Sequence, residues 1–330
     1  MKSIGFFNNK GGVGKTTLIC NLASSLAVNK NQKILIIDAD PQCNASAYLL
    51  PEEELERILL DDKHYSLDSF YEPIRRGQGY PTKLPSIIRS ESFKLDLIVG
   101  DPKLSIREDL LATDWASTKN GESRGFQTTY AIKELLSRVD NYDFVLVDMG
   151  PSLGALNRSV LLAVDYFLMP LSVDIFSLMA VENIIRSFDN WRQSLDDAIG
   201  KHQRDEGFNF QIAGEDVAWD LQFLGHVMQQ YKAKTVRGVR QPVQAFERII
   251  EKQKIELANL CKAFDVEPNE VDLGVIPTLS SVVPLSQQAH APVFSLGAQD
   301  GIVGSQYTRV TEAGEYFHYI SNALYERLVK

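Results

Sequence analysis

Ser3-Ile-Gly-Phe-Phe-Asn-Asn-Lys-Gly-Gly-Val-Gly-Lys-Thr-Thr17 decides the fold: a short apolar run, a glycine-rich loop, and then the helical pattern Leu18 to Val28. Glycines 11, 12 and 14 let the backbone curl so that successive N–H groups point inward, and the following helix adds the positive end of its dipole. The result is a cradle for polyphosphate, spanning Lys10, Gly11, Gly12, Val13, Gly14, Lys15, Thr16 and Thr17. In such a cradle Lys15 neutralises the β- and γ-phosphates of a nucleotide and the Thr16 hydroxyl ligates magnesium, so ATP and Mg2+ are the expected cofactors. Asn9 stands where the ordinary pattern has glycine, five positions before Gly14, and Lys10 adds a second ammonium. Two ammonium groups in one loop repel unless each meets negative charge, which predicts that Lys10 faces a phosphate of its own nucleotide or of a neighbouring subunit's.

Outward from this loop, apolar runs recur at Ser3 to Phe7, Lys33 to Ile37, Leu95 to Val99, Phe144 to Val147, Tyr166 to Pro170, Leu221 to Met228 and Val271 to Ile276, separated by longer helical patterns. Several are continuously apolar, as strands covered on both faces must be. The expected fold class is therefore α/β: a P-loop NTPase with a mostly parallel, twisted sheet of about seven or eight strands and helices on both faces. A single domain over residues 1–330 is expected. Pro51 to Tyr80 and Thr113 to Thr129 break the rhythm with acidic and Gly/Ser/Thr-rich composition, and read as surface insertions or mobile loops.

Ligands of such sheets bind beyond the carboxyl ends of the strands, so carboxylates placed there carry weight. Lys33 to Ile37 runs into Asp38-Ala-Asp40-Pro, and Tyr142-Asp-Phe-Val-Leu-Val runs into Asp148-Met-Gly-Pro. Phosphoryl transfer needs positioning more than covalent chemistry, and carboxylates at these places can orient water or hold hydrated magnesium. An Asp before proline can equally start a turn or cap a helix.

Lys10-Gly-Gly-Val-Gly-Lys-Thr-Thr17 resembles the signature of the ParA/MinD family of deviant Walker-A ATPases, most similar to partition ATPases that lack an N-terminal DNA-reading domain. The resemblance implies an ATP-sandwich homodimer in which Lys10 reaches the partner's nucleotide, Lys15 contacts its own, and Asp40 positions the attacking water. It also implies that Asp38 lies near the magnesium shell, and that Asp148 is the Walker-B carboxylate, making Thr16, Asp38 and Asp148 the metal set. Relatives commonly carry Thr-Pro-Pro after that aspartate; Met149-Gly150-Pro151 here puts the detailed switch behaviour in question. The likeness extends through Leu95 to Ser105, Val164 to Pro170 and Leu273 to Ala289, the last similar to the family's segment beside the adenine. Pro277, with Gln229 or Gln230, is thus a candidate base contact, or else a strand-ending turn.

The chain is acidic, with 43 Asp and Glu against 34 Lys and Arg, which argues against a uniformly basic nucleic-acid binder but allows a local patch. Tyr231 to Lys254 supplies one, with seven basic residues against Glu247 and Glu251. Lys232, Lys234, Arg237 and Arg240 are the expected contacts to nonspecific DNA, the alternative being a solvated helix face. By resemblance, a ParB-like or other adaptor would stimulate slow hydrolysis, and the machine would partition a plasmid, chromosome or other cargo on the nucleoid. A MinD-like membrane-surface switch is the competing function. It would use a basic amphipathic C-terminal helix, yet the Phe317, Ile320, Leu324, Leu328 stripe lies among Glu312, Glu315 and Glu326 and reads as core packing. Cys20, Cys43 and Cys261 have neither disulfide-framework nor cluster-ligand spacing, which suits a reducing cytoplasm. No run approaches the roughly 18 apolar residues of a membrane span.

Overall fold

A computed structural model describes residues 1–231, 233–236, 239–242 and 244–329. In chain order the strands are β1 (Lys2–Phe6), β2 (Ile34–Asp38), β3 (Ile87–Ser90), β4 (Leu95–Ile98), β5 (Phe144–Asp148), β6 (Tyr166–Ser172), β7 (Gln211–Ile212), β8 (Glu215–Asp216), β9 (Gln222–Tyr231), β10 (Ala233–Val236), β11 (Val239–Pro242) and β12 (Asp272–Pro277). Eight of these form one sheet in the order β12-β9-β6-β1-β5-β2-β4-β3. It is parallel throughout except for β3, which runs antiparallel to β4 at the edge.

The pleat explains the continuous apolar runs. Ile34, Ile36, Phe144 and Leu146 enter the core on one face, while Leu35, Ile37, Val145 and Val147 enter the core on the other. Alternate side chains point to opposite faces, and because helices cover both, neither set may be polar. The helices Lys15–Asn29 and Gln306–Val329 close the first face; Leu104–Lys119, Ala155–Ala163 and Ile175–Glu206 lie on the second. Phe317, Ile320, Leu324 and Leu328 are all buried in the first core, so the C-terminal stripe is spent on packing and not held free for a lipid surface.

All seven expected strands are present. The additional edge strand β3 has only Ser90 buried and so carried no apolar signal. The two segments read as surface insertions or mobile loops are largely helical, which corrects the loop reading. Glu52–Leu60 and Leu67–Arg75 occupy the first, the latter burying Leu67, Phe70, Tyr71 and Ile74. The second falls in Leu104–Lys119 and Ser123–Thr129, with Trp115 and Phe126 buried in the core. Its polar residues satisfy one another internally: the Thr118 and Thr129 hydroxyls meet at 2.9 Å, and Thr128 Oγ1 donates to Asp114 Oδ2 at 2.6 Å. Gly125 lets these helices cross, since a Cβ there would lie 2.2 Å from the Thr118 nitrogen. Composition alone does not distinguish buried, paired hydroxyls from loop residues.

Among the described residues no helix is long and apolar enough to cross a membrane. Cys20, Cys43 and Cys261 are buried free thiols.

Candidate functional site

The parallel strands β1, β5 and β2 lie side by side and end together, with Phe6, Asp148 and Asp38 in register at their carboxyl ends. This register is what converts carboxylates far apart in sequence into one cluster. The glycine-rich loop leaves β1 at the same edge. Gly12 (φ 74°) and Gly14 (φ 81°) adopt the left-handed conformation that side chains rarely tolerate, and Gly14 caps the helix Lys15–Asn29. Gly14 has a second reason to lack a side chain, because a Cβ would fall 2.6 Å from Gln229 Oε1.

Lys15 is 7% exposed, and its ammonium donates to the carbonyls of Asn8 (3.3 Å) and Lys10 (3.5 Å). Burial lowers its pKa, while the charges of Asp148 and Asp40 oppose that shift. Thr16 Oγ1 donates to Asp148 Oδ2 at 2.8 Å. The other oxygen, Asp148 Oδ1, is buried without a partner. Burial, with the nearby charge of Asp38, raises the Asp148 pKa to about 8 against the pull of Thr16 and Lys15. Asp38 is wholly buried; its Oδ2 accepts from the Ser46 backbone N–H (2.8 Å) and hydroxyl (2.7 Å), and its pKa is raised by burial to about 6. Asp40 lies in the turn after β2, where its Oδ1 accepts from the Gln42 N–H at 3.0 Å. The turn-forming role and a place in the acidic cluster therefore coincide in Asp40.

A buried carboxylate oxygen with no partner costs free energy that a cation would recover. Beside it stand a hydroxyl, a buried ammonium and a loop whose glycines curl inward, so these residues fit a magnesium–triphosphate group. Among the described residues no three His, Cys, Asp or Glu side chains converge into a metal cage. Magnesium in nucleotide sites is held by one or two carboxylates with phosphate oxygens and water, and needs no such cage.

Lys10 points elsewhere. Its ammonium pairs with Asp174 and donates to Ser172 Oγ at 3.2 Å, and its side chain is 26% exposed. Asp174 also caps the helix Ile175–Glu206, accepting from the N–H groups of Phe176 (2.9 Å) and Ser177 (3.1 Å). Burial pushes its pKa up, but hydrogen bonds from Lys10, Ser172 and Ser177 hold it down at about 2. Asp174→Ala is expected to lower stability by about 1 kcal/mol through loss of the cap. A carboxyl with a depressed folded pKa stabilises above its unfolded value of about 3.9 and loses that contribution as pH falls through about 2. Denaturant unfolding of the two proteins should therefore differ at pH 7 and converge toward pH 2.

Gln229, at the end of β9, is buried and donates from Nε2 to the Gly14 carbonyl at 3.2 Å; Pro277, at the end of β12, is paired in register with Tyr231. Both therefore reach the loop end of the sheet, with the Gln229 amide engaged by the loop itself. Lys234 and Arg240 lie on β10 and β11, an antiparallel pair that precedes the helix Gln244–Ala263. Lys232 and Arg237 lie outside the described residues.

Several site residues carried no motif signal. Asn8, fully buried, donates from Nδ2 to the Pro170 carbonyl (2.7 Å) and accepts the Lys10 N–H (2.9 Å), fixing the loop's entry. Its place directly ahead of a turn was the one available hint. Ser46, Ser172 and Asp174 are brought in by tertiary structure alone.

A family model described as an AAA domain matches residues 1–201. The chain is 31% identical over 193 residues to a chromosome partitioning protein ParA of Myxococcus xanthus, a match covering 57% of this chain and 58% of that one. Other curated relatives are matched over 54% to 68% of their length. A protein of known structure from Corynebacterium diphtheriae is 30% identical, with a TM-score of 0.71 over 88% of this chain and 97% of that one. McdA of Cyanothece in complex with ATP shares the fold, with 16% identity and a TM-score of 0.59 over 98% of this chain and 96% of that one.

Proposed function

The chain belongs to the ParA/MinD family of P-loop ATPases, and from that premise we propose that it binds MgATP at this loop, dimerises on it, and holds DNA nonspecifically as the dimer. Slow hydrolysis, stimulated by a ParB-like or other adaptor protein, resets the cycle, and the cycle partitions or positions a plasmid, chromosome segment or other cargo. The whole chain acts as one ATPase domain in the cytoplasm, associated with the nucleoid. One observation carries the reading: the unpartnered Asp148 Oδ1 beside the Thr16 hydroxyl and the buried Lys15, at the mouth of the left-handed glycine loop.

The backbone N–H groups of Gly11 to Thr17 and the Lys15 ammonium would hold the triphosphate. Thr16, Asp38 and Asp148 would hold magnesium directly or through water, and the metal supplies charge neutralisation on the phosphoryl oxygens. Asp40, adjoining this cluster, orients the attacking water. Gln229 and Pro277 border the base. Lys10 neutralises the partner's phosphate, which requires it to leave Asp174. Its partial exposure and its counter-ion outside the cradle favour this role over service to its own nucleotide, where Lys15 already stands.

The test is retention on DNA at low salt with the Asp40→Ala protein and ATP. The trapped dimer should stay bound, and Lys10→Ala should prevent both ATP-dependent dimerisation and retention. Replacing Lys232, Lys234, Arg237 and Arg240 with alanine should leave dimerisation intact and reduce the slope of log affinity against log salt by about four. ATP-independent retention, or an unchanged slope in the quadruple variant, would remove DNA from the function. ATP-dependent sedimentation with anionic liposomes would favour the membrane switch instead.

A further inference from the structure

The segment Met149 to Gly154, between β5 and the helix Ala155–Ala163, departs from the family pattern and touches two parts of the site. Met149 is fully buried and turned toward Gly5, where a Cβ would lie 3.1 Å from its sulfur. Gly150 stands against Asp40: a Cβ on Gly150 would be 3.4 Å from Asp40 Oδ1. Pro151 stands against the phosphate loop, its ring carbon 3.8 Å from where a Cβ on Gly11 would be. The segment thus forms a wall common to the phosphate loop and Asp40.

Two side chains from outside hold that wall. Asn157, 2% exposed, donates from Nδ2 to the Gly150 carbonyl and the Ser152 carbonyl, both at 2.7 Å. A primary amide has two N–H donors, so one side chain ties two carbonyls of the turn to the first turn of the helix. Glu108, from the helix Leu104–Lys119, accepts the N–H groups of Ala155 and of Leu156 (2.9 Å), where negative charge meets the positive end of the helix. Gly154 makes this approach possible, because a Cβ there would lie 2.1 Å from Glu108 Oε1.

We propose that Asn157 is a positioning residue for ATP hydrolysis: by fixing the Gly150 and Ser152 carbonyls it sets the wall against which Asp40 is placed, with Glu108 as the anchor of the helix that carries it. This rests on the ATPase role assigned above to Asp40. Asn157 contacts the turn and not the cradle, so its loss disturbs hydrolysis more than nucleotide binding. A displacement of about 1 Å in a positioning group can cost up to ~100-fold in rate.

The test uses the full chain carrying Asn157→Asp, which keeps the side-chain volume but sets an acceptor against two carbonyls. Glu108→Gln serves as a second variant that leaves Asn157 intact. Steady-state hydrolysis should show kcat reduced about tenfold in Asn157→Asp and about threefold in Glu108→Gln, with KM for ATP within twofold of the unsubstituted protein. Hydrogen exchange of the peptide covering 149–157, measured without nucleotide, should rise at least tenfold while β1 and β2 stay protected. Unchanged kcat in both variants, or exchange no faster in that peptide, overturns the proposal. So does a parallel loss of binding, turnover and protection across the whole sheet, which would mark Asn157 as a fold residue only. If the unsubstituted protein neither binds nor hydrolyses ATP, the ATPase reading itself falls, an outcome distinct from an active protein that is indifferent to Asn157.

Discussion

Lys15→Ala is expected to weaken MgATP binding by at least thirtyfold, with hydrolysis falling below detection. Lys15 is 7% exposed, and its ammonium has the carbonyls of Asn8 and Lys10 as hydrogen-bond partners, in the field of Asp148 and Asp40. Removing it leaves Asp40 and Asp148 without the charge of this ammonium, and then asks a polyanion to enter beside them. Losing one partner of a buried charge pair, here the proposed pair of Lys15 with phosphate, costs about 2–5 kcal/mol, or roughly 30- to several-thousand-fold in affinity. Titration with a fluorescent ATP analogue measures it directly. Lys15→Arg should not rescue, since a planar fork does not fit a place built for a compact charge. An affinity within threefold of the unsubstituted protein in Lys15→Ala would show that the cradle binds by backbone alone.

Asp148→Asn is expected to separate stability from activity. Hydrolysis should fall at least a hundredfold, because the variant lacks a carboxylate proposed above to hold magnesium. The nucleotide-free protein should nevertheless become more heat-resistant above neutral pH. Burial and Asp38 raise the Asp148 pKa to about 8, far above the unfolded value of about 3.9. Between those two values the folded state binds more protons than the unfolded state, so stability falls as pH rises through that window. The buried Asp38, raised to about 6, acts in the same direction over the lower part of it. The asparagine has no charge to expose, so its Tm relative to the aspartate protein should rise by about 5 °C between pH 5 and pH 8. In the folded state at pH 5 the two side chains are both neutral and nearly isosteric, and any cost of an unpaired buried amide is the same at each pH and so cancels in the change with pH. A Tm difference independent of pH would place the Asp148 charge outside the stability balance. Added MgATP should reverse the ranking, since the aspartate protein, with its metal-holding carboxylate intact, gains more from the ligand.

The sequence by itself determined the sheet and the cradle. Continuous apolar runs such as Ile34 to Ile37 leave no polar face, so they require helices on both sides. The spacing of Gly11, Gly12, Gly14, Lys15 and Thr16 directly after a strand requires a phosphate loop. Both are local properties, written in the period and identity of neighbouring residues, and hence readable without coordinates. The carboxyl-end positions of Asp38 and Asp148 follow from the same strands.

Tertiary structure decided what those groups meet. The parallel register of β1, β5 and β2 sets Asp38 and Asp148 side by side, and burial there moves their pKa values far from those of free carboxylates. The partner of Lys10 in this structure is Asp174, 164 residues away, because β6 lies next to β1. The Gly/Ser/Thr-rich stretch at 113–129 is packed helix and not loop, because its hydroxyls find buried partners across a helix crossing. The turn after Asp148 is held by Asn157 and Glu108, neither of which belongs to any motif. In each case the physical cause is a hydrogen bond or charge pair that has no period along the chain. Such contacts form only when the hydrophobic cores on the two faces of the sheet have already fixed which elements are neighbours.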